Sequence, residues 1–267
     1  MRYGVCGSLE MIGEAEAYNY DYMEISASAI AAMDETEYKK TLETVNASRI
    51  KCEAFNILFG GNMNTSGTMN ILGEDADYDK VSEYVKVLFP RLKRLGAQVV
   101  VFGSGGVRRY PENFSRERAY EQLVRISRML GAEAYGNGFI VVVEPLCKAA
   151  TNMINSMAEG RALVEDACHP SFLLLADWYH CKTENETGAD VRSNGMYLRH
   201  THIAHPGSRL NPGENDGGDY EDFFQALADI GYNLRLSYEG INNGDFRNYA
   251  GHLLEYLKGL EQKAVSN

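Results

Sequence analysis

Four polar residues stand at the carboxyl ends of successive apolar segments in the second half of the chain: Glu144, Asp177, His202 and Glu239. A carboxylate that ends an apolar run is costly to bury unless another charge compensates it. One such carboxylate is commonly a helix cap or the partner of an arginine, but a series of them shares a simpler explanation, a bound cation. Three oxygen donors and one nitrogen donor suit one divalent ion such as Mn²⁺, Mg²⁺, Co²⁺ or Zn²⁺. The pattern therefore predicts Lewis-acid chemistry on a substrate that offers oxygen atoms.

Eight apolar segments alternate with helical patterns along the whole chain, and they predict the elements that would position these residues. Two of the segments, 99–102 and 140–143, are uninterrupted apolar runs, which are typical of parallel strands buried on both faces. Between the segments, apolar residues recur at steps of three and four, as one face of a helix requires. Asp34 with Glu37 predicts a capping box before one of these helices. The predicted strands are 3–6, 22–25, 52–57, 98–102, 139–143, 172–176, 197–203 and 234–238.

This alternation predicts an α/β fold, a (β/α)₈ TIM barrel formed as a single domain by residues 1–267. A doubly wound open sheet is the alternative, but it would carry a GxGxxG turn after its first strand, and that pattern is missing here. In a barrel the ends of strands five to eight are neighbours on one rim, so the four polar residues should meet there. Two longer connections, 57–76 and 103–115, should overhang that rim, whereas segment 181–194 is polar and is predicted to be mostly loop.

Several short motifs resemble the xylose isomerase-like TIM barrels, and within them the sugar-phosphate isomerase/epimerase and ketose 3-epimerase branch. Each motif is short, but the set keeps one order and spacing and covers nearly the whole chain. The motifs are CEAFNILF (52–59), VVFGSGGVRR (100–109), VVVEPL (141–146), LLADWYH (174–180), HTHIAHPGSR (200–209) and LSYEG (236–240).

The resemblance implies roles for the four residues at the strand ends. Glu144, Asp177, His202 and Glu239 match the metal ligands of the ketose epimerases. Glu144 and Glu239 also match the acid and base carboxylates of those enzymes. The implied cofactor is one divalent metal ion, and the implied substrate is a small sugar or sugar phosphate.

The same resemblance implies two substrate contacts and shows one departure. His180 matches a histidine that contacts substrate oxygens, and Arg209 matches an arginine that binds substrate. Cys147 stands where the epimerases often carry an asparagine, and the three residues after it supply no carboxylate. The motifs therefore indicate the metal site more specifically than they indicate the substrate.

Proton transfer beside a carbonyl group is the reaction that such a site would carry. Removal of a proton from the carbon leaves an enediolate, whose negative oxygens a chelated divalent ion stabilises. Glu144 and Glu239 would flank that carbon, one removing a proton and the other returning one on the opposite face. We therefore expect a sugar isomerase or epimerase. If the enediolate expels a leaving group instead, the same residues would serve a lyase or dehydratase that acts on an oxidised sugar or cyclitol.

Three further residues are predicted substrate contacts from their places in the pattern. Glu24 and Asn56 end the second and third predicted strands, where each either points into the pocket or serves as a helix cap or loop hydrogen-bond partner. The glycine-rich segment 103–106 precedes Arg108 and Arg109, and together they could hold an anion through backbone N–H groups and guanidinium charge. Such an anion site would fit a phosphorylated or carboxylated sugar.

Composition excludes several classes of partner. The formal net charge is −11, which argues against nucleic acid and against anionic membranes as partners, because both need a basic surface. The five cysteines form no CxxC pair, so we expect reduced thiols. Neither a signal peptide nor a membrane span is recognisable, and we expect a cytoplasmic protein. Barrels of this kind often form homo-oligomers, although the sequence singles out no interface.

Two remoter functions can be weighed from the residues. Zinc-dependent abasic-site endonucleases share this superfamily, but they need additional histidines near strands three and four, where this chain has Asn56 and Gly103. A sugar-binding protein without catalytic activity could dispense with Glu144 or Glu239, and both are present.

Overall fold

In the computed structural model, which describes residues 1–60, 69, 71–240 and 245–266, eight parallel strands close into a barrel. Each strand pairs with the next in chain order, and the first pairs with the last. The predicted barrel is confirmed, and each predicted strand begins and ends within one residue of an observed one. The strands are β1 (Arg2–Cys6), β2 (Tyr22–Ser26), β3 (Lys51–Asn56), β4 (Val99–Phe102), β5 (Ile140–Val143), β6 (Phe172–Asp177), β7 (Leu198–Ile203) and β8 (Arg235–Tyr238).

Helices surround the strands and cover their outer faces. The Asp34–Glu37 capping box is present, because the Asp34 side chain accepts from the Glu37 backbone N–H and the Glu37 side chain accepts from the Asp34 N–H. The helices are α1 (Ile12–Ala17), α2 (Ala27–Ala32), α3 (Glu35–Ala47), α4 (Tyr78–Leu95), α5 (Arg116–Asn137), α6 (Met157–Ala167), α7 (Trp178–Thr183), α8 (Gly188–Asn194), α9 (Tyr220–Asp229) and α10 (Ala250–Ser266).

Segment 181–194 is more helical than predicted, since it contains the end of α7 and all of α8. Both helices are short, and polar side chains at their first turns stabilise them. The Asp177 carboxylate accepts from the Tyr179 N–H at the start of α7. Thr187 and Asp190 form a capping box at the start of α8. The prediction of a loop was wrong because caps and packing, rather than an apolar stripe, support these helices.

Two apolar layers hold the barrel. The larger one lies between the strands and the helices. The smaller one consists only of strand residues and fills the barrel interior below the carboxyl ends; its buried members are Tyr22, Ala54, Val99, Val101, Val142 and Leu175. Polar side chains replace apolar ones towards the carboxyl ends of β2, β7 and β8, so the barrel becomes polar where the predicted site lies.

The two long connections differ in how far the structure describes them. In connection 57–76, residues 61–68 and 70 lie outside the described residues. Connection 103–115 is described throughout, and the Ser104 hydroxyl accepts from the Phe59 N–H at 2.9 Å, which joins the two connections on the rim. The cysteines are free, as predicted. In the part of the chain that the structure describes, no helix is both long and apolar enough to cross a bilayer.

Candidate active site

The residues predicted at the ends of β5 to β8 converge at one point of the rim. Glu144 follows β5, Asp177 ends β6, His202 lies in β7 and Glu239 follows β8. One donor atom from each of the four lies within 4.8 Å of the others. We call these four residues the carboxylate–histidine cluster. His202 Nδ1 lies 3.3 Å from Glu144 Oε1 and 3.1 Å from Glu239 Oε2, so the nitrogen and oxygen donors face one another.

Two neighbours fix the position of Glu144. Its backbone carbonyl accepts from Arg108 Nη2 at 2.7 Å. On the other side, the adjacent strand end passes so close that only a glycine fits. A Cβ atom at Gly103 would overlap Glu144 Oε2 and would stand 3.0 Å from Glu144 Cδ. The glycine therefore leaves room for the carboxylate to turn into the cluster.

The cluster is buried, and its groups perturb one another. Burial raises the pKa of Glu144, and the charge of Glu239 raises it further. Burial also raises the pKa of Asp177, although Arg209 opposes this. Burial disfavours the charged form of Glu239 too, but His202 and Arg209 outweigh it and lower the pKa of Glu239 to about 2. The environments thus push the pKa values of Glu144 and Glu239 in opposite directions, an arrangement found where one carboxylate serves as acid and another as base.

Arg209 and His180, two predicted substrate contacts, lie against the cluster. Arg209 Nη2 donates to Glu239 Oε2 at 2.5 Å and lies 3.3 Å from Asp177 Oδ2. Arg209 Nη1 lies 3.1 Å from His180 Nε2, while His180 Nδ1 accepts from the Cys147 backbone N–H. Burial lowers the pKa of His180 to about 4, so the ring is neutral near pH 7. A neutral imidazole and a guanidinium therefore stand beside two of the cluster carboxylates.

Asn56 also lies at the cluster, since its Nδ2 donates to Glu239 Oε1 at 3.0 Å. Glu24 lies elsewhere: it is fully buried behind His202, and both of its carboxylate oxygens accept hydrogen bonds inside the barrel. The expectation that Glu24 contacts substrate is therefore corrected, because the side chain exposes no surface to a ligand.

The predicted anion site around segment 103–106 also needs correction. Arg108 is fully buried and donates to the Glu144 carbonyl, with its guanidinium 5.3 Å from the centre of the Phe102 ring. Arg109 turns outward, and its Nη2 donates to the Ala149 carbonyl at 3.2 Å. The glycine-rich segment does line a cavity of about 440 Å³, but neither arginine is among the lining residues, which are Ile57, Phe59, Gly103, Ser104, Gly105, Gly106 and Val107.

Sequence reasoning singled out Glu24 but missed the hydrogen-bonded group to which it belongs. We call these polar residues beneath the cluster the inner network: Tyr22, Glu24, His200 and Ser237. Glu24 accepts from His200 Nε2, His202 Nε2 and Ser237 Oγ, and the Tyr22 hydroxyl lies 2.8 Å from Ser237 Oγ. The sequence contained one signal of this network, which is the spacing of its polar residues. Each of three members stands two residues before another polar residue of the site: His200, Tyr22 and Ser237. Alternate residues of a strand point to the same side, which here is the barrel interior.

Comparisons with known proteins agree with this architecture. A family model described as xylose isomerase-like TIM barrel matches residues 12–260. The L-ribulose 3-epimerase of Methylomonas sp. (strain DH-1) is 25% identical over 248 residues, which cover 90% of this chain and 81% of that protein. The 3-dehydro-D-guloside 4-epimerase of Escherichia coli (strain K12) is 30% identical over 114 residues, 42% of this chain and 43% of that protein.

Solved structures show the same fold at low sequence identity. A D-allulose 3-epimerase from Methylomonas sp. matches with a TM-score of 0.80 and 20% identity, covering 97% of this chain and 98% of that one. The 3-keto-D-glucoside 4-epimerase from E. coli matches with a TM-score of 0.77 and 19% identity, covering 97% of this chain and 99% of that one.

Proposed function

Since this chain belongs to the xylose isomerase-like TIM barrel family, we propose that it is a divalent-metal-dependent sugar epimerase or isomerase. The observation that carries this proposal is the carboxylate–histidine cluster, in which Glu144 and Glu239 each bring a carboxylate oxygen within 3.3 Å of His202 Nδ1. The relatives named above are sugar epimerases, which favours the same chemical class here. We further propose that residues 1–267 act as one catalytic domain.

Charge at the site supports the divalent ion. Four buried or half-buried carboxylates meet there, and in the part of the chain that the structure describes two guanidinium groups, of Arg108 and Arg209, lie close to them. Burial lowers the pKa of His180 and of His200, and His202 must be neutral to bind a metal. With all three rings neutral, two negative charges remain, which one divalent cation would neutralise. Uncompensated buried charge is strongly unfavourable, so the donor set fits such an ion well. The carboxylates are Glu24, Glu144, Asp177 and Glu239.

Glu144, Asp177, His202 and Glu239 would hold the metal. Their oxygen and nitrogen donors suit Mn²⁺, Mg²⁺, Co²⁺ or Zn²⁺. When bound, the ion would supply Lewis-acid stabilisation to the carbonyl and neighbouring hydroxyl oxygens of the sugar.

The protein groups divide the remaining work among them. We assign the two proton transfers to Glu144 and Glu239, which approach the cluster from β5 and β8. One carboxylate removes the proton from the carbon beside the carbonyl, and the other returns a proton to the opposite face, which inverts that carbon. Asn56 and Arg209 hold the Glu239 carboxylate in place. Arg209 and His180 lie where they could bind the oxygens of the sugar.

The charge of the surrounding loops favours an uncharged sugar over a sugar phosphate. Neither lysine nor arginine occurs in three segments that contain connections after the strands: 7–33, 57–77 and 239–246. The first begins after β1 and continues past β2, the second follows β3, and the third follows β8. Arg108 and Arg109 are engaged by backbone carbonyls. A phosphate group would need several lysine or arginine side chains that are free to donate hydrogen bonds to it. We therefore propose a neutral ketose or a related neutral keto-sugar as substrate.

Hydrogen exchange at carbon tests the proposal directly. A panel of ketoses in D₂O with Mn²⁺ should include at least one that gains deuterium beside the carbonyl, observed by NMR. Glu239→Gln and Glu144→Gln should each lower the exchange rate at least about 100-fold, because loss of one proton-transfer group has effects of this size. Glu186→Gln is the matched control, since this carboxylate lies outside the site and should leave the exchange rate unchanged.

The outcomes separate the candidate functions. If no sugar exchanges hydrogen and Glu239→Gln changes no activity, the proposal is wrong. If exchange is accompanied by loss of water or another leaving group, the chain is a lyase or dehydratase that uses the same residues. Bound zinc at three ions per chain would instead favour the abasic-site endonucleases.

A further inference from the structure

We propose that Glu24 is a positioning residue that makes Nδ1, and not Nε2, the nitrogen through which His202 binds the metal. This inference rests on the proposed function, because it concerns how the protein prepares one ligand for that ion. It gives the inner network, whose four members are all fully buried, a role in the proposed site.

Both oxygens of the Glu24 carboxylate accept hydrogen bonds from protein groups. Oε1 lies 2.9 Å from His202 Nε2, and Oε2 lies 2.8 Å from His200 Nε2 and 2.6 Å from Ser237 Oγ. These side chains are fully buried, so water does not compete for the carboxylate. Hydrogen bonds to an ionised group in such surroundings are among the stronger ones in proteins.

These contacts select one tautomer of the ring. An ionised carboxylate only accepts hydrogen bonds, so the nitrogen of His202 that faces Glu24 must carry the proton. In a neutral imidazole the other nitrogen then offers its lone pair, and for His202 that nitrogen is Nδ1. Nδ1 is also the atom that faces Glu144 and Glu239. The hydrogen bond and the position of the cluster therefore agree on the same nitrogen.

The rest of the inner network holds Glu24 in this orientation. Ser237 donates to Glu24 and accepts from the Tyr22 hydroxyl, which lies 2.8 Å away. His200 donates through Nε2, so its Nδ1 carries a lone pair and no proton; that nitrogen has no hydrogen-bond partner among the described residues. Glu24 lies on β2 and both histidines lie on β7, so these hydrogen bonds cross the barrel interior. Partners of this kind fix the ring plane of a metal-binding histidine.

A second metal at Glu24 is the alternative. Cys6, Glu24 and His202 also offer donor atoms within 4.8 Å of one another. The contacts of Glu24 oppose this alternative, because both of its oxygens already accept hydrogen bonds from protein groups. Burial and the nearby carboxylates also raise the pKa of the Cys6 thiol, which disfavours the thiolate that a metal would need.

Metal titrations compare the protein with variants of the network. Co²⁺ binding would be measured by calorimetry, together with the visible absorption of the bound ion, which reports its ligand geometry. Glu24→Gln should weaken Co²⁺ binding about 10- to 100-fold, the usual effect of losing such a partner, and should alter the spectrum. Ser237→Ala should give a smaller loss of affinity. Tyr20→Phe removes another buried hydrogen bond, to the Ala250 carbonyl, and should leave both readouts unchanged.

A measurement on the unmodified protein keeps the test decisive even where Glu24→Gln fails to fold. In Zn²⁺-loaded protein with ¹⁵N-labelled histidine, NMR should show His202 protonated at Nε2 and metal-bound at Nδ1. Binding through Nε2, or a second Co²⁺ that is lost in Glu24→Gln, would overturn the inference. So would a folded Glu24→Gln variant with normal affinity and spectrum.

The same titration separates this inference from the proposed function. If the unmodified protein binds no divalent metal, the proposed function fails and the inference fails with it. If it binds one metal whose affinity and spectrum ignore Glu24, only the inference about Glu24 fails.

Discussion

Gly103→Ala should disable the proposed metal site while leaving the fold nearly intact. The glycine stands at the end of β4, where an added Cβ would overlap Glu144 Oε2 and would lie 3.0 Å from Glu144 Cδ. Ordinary van der Waals contact with a Cβ begins at 3.4 Å. The Glu144 carboxylate must therefore swing away from the added methyl group.

The structure sets the size of the effect. To regain an ordinary contact, Oε2 must move by roughly an ångström or more, whereas metal–ligand distances tolerate about 0.2 Å. Losing one of four ligands should weaken divalent-metal binding at least about 100-fold, or about 2.7 kcal/mol. The free energy of unfolding should change by only about 1 kcal/mol, because the obstructed group is the end of a flexible side chain.

Calorimetric titration with Mn²⁺ and urea denaturation measure these two quantities separately. Gly136→Ala is the matched control, since nothing lies within 4 Å of its added Cβ. Because Gly136 lies inside α5, this control should gain about 0.5–1 kcal/mol of stability with no change in metal affinity. A Gly103→Ala protein that binds Mn²⁺ within twofold of the unmodified protein would refute the reasoning about Glu144.

Three further predictions concern other parts of the chain. Burial raises the pKa of Glu186 to about 7 from 4.5, so this half-buried group favours folding below pH 4.5 and loses that contribution as pH rises to 7. Glu186→Gln, whose side chain can still accept from the Met157 N–H, should therefore gain about 1–2 kcal/mol at pH 8 and little at pH 4.5 in urea denaturation; an equal difference at both pH values would contradict this. Asp34→Ala removes the capping box and should cost about 1 kcal/mol of unfolding free energy without affecting metal titrations. Asn56→Ala frees Glu239 Oε1 and should weaken metal binding about tenfold, while unchanged affinity would show that this hydrogen bond does not hold the ligand.

Much of this architecture could be predicted because strong local signals agreed with the final fold. Continuous apolar runs such as Ile140–Val143 are typical of buried parallel strands, and the observed strands match them closely. The cluster residues were recognisable for a related reason. A carboxylate such as Glu144 directly after such a run needs a compensating charge, and the barrel brings its counterparts to the same rim.

What could not be predicted depends on contacts between distant parts of the chain. Arg108 follows a glycine-rich segment and reads as a surface residue, yet it is fully buried against the Glu144 carbonyl. Glu24 ends a strand like any pocket residue, and only the position of β7 across the barrel turns it towards His202. Short helices such as α8 depend on caps and on packing against α9, which amphipathic periodicity does not reveal.

The two halves of the barrel divide the site unequally. Glu144 and Glu239, like the rest of the cluster, come from β5 to β8, whereas Glu24 and Asn56, which hold His202 and Glu239, come from β2 and β3. A chain cut between β4 and β5 would leave every donor atom of the cluster on one fragment, and Glu24 and Asn56 on the other. Neither fragment would reconstitute the centre alone, but mixing the two should. The proposed chemistry therefore depends on a few inward-facing positions in both halves, so a mutation in either half would affect it.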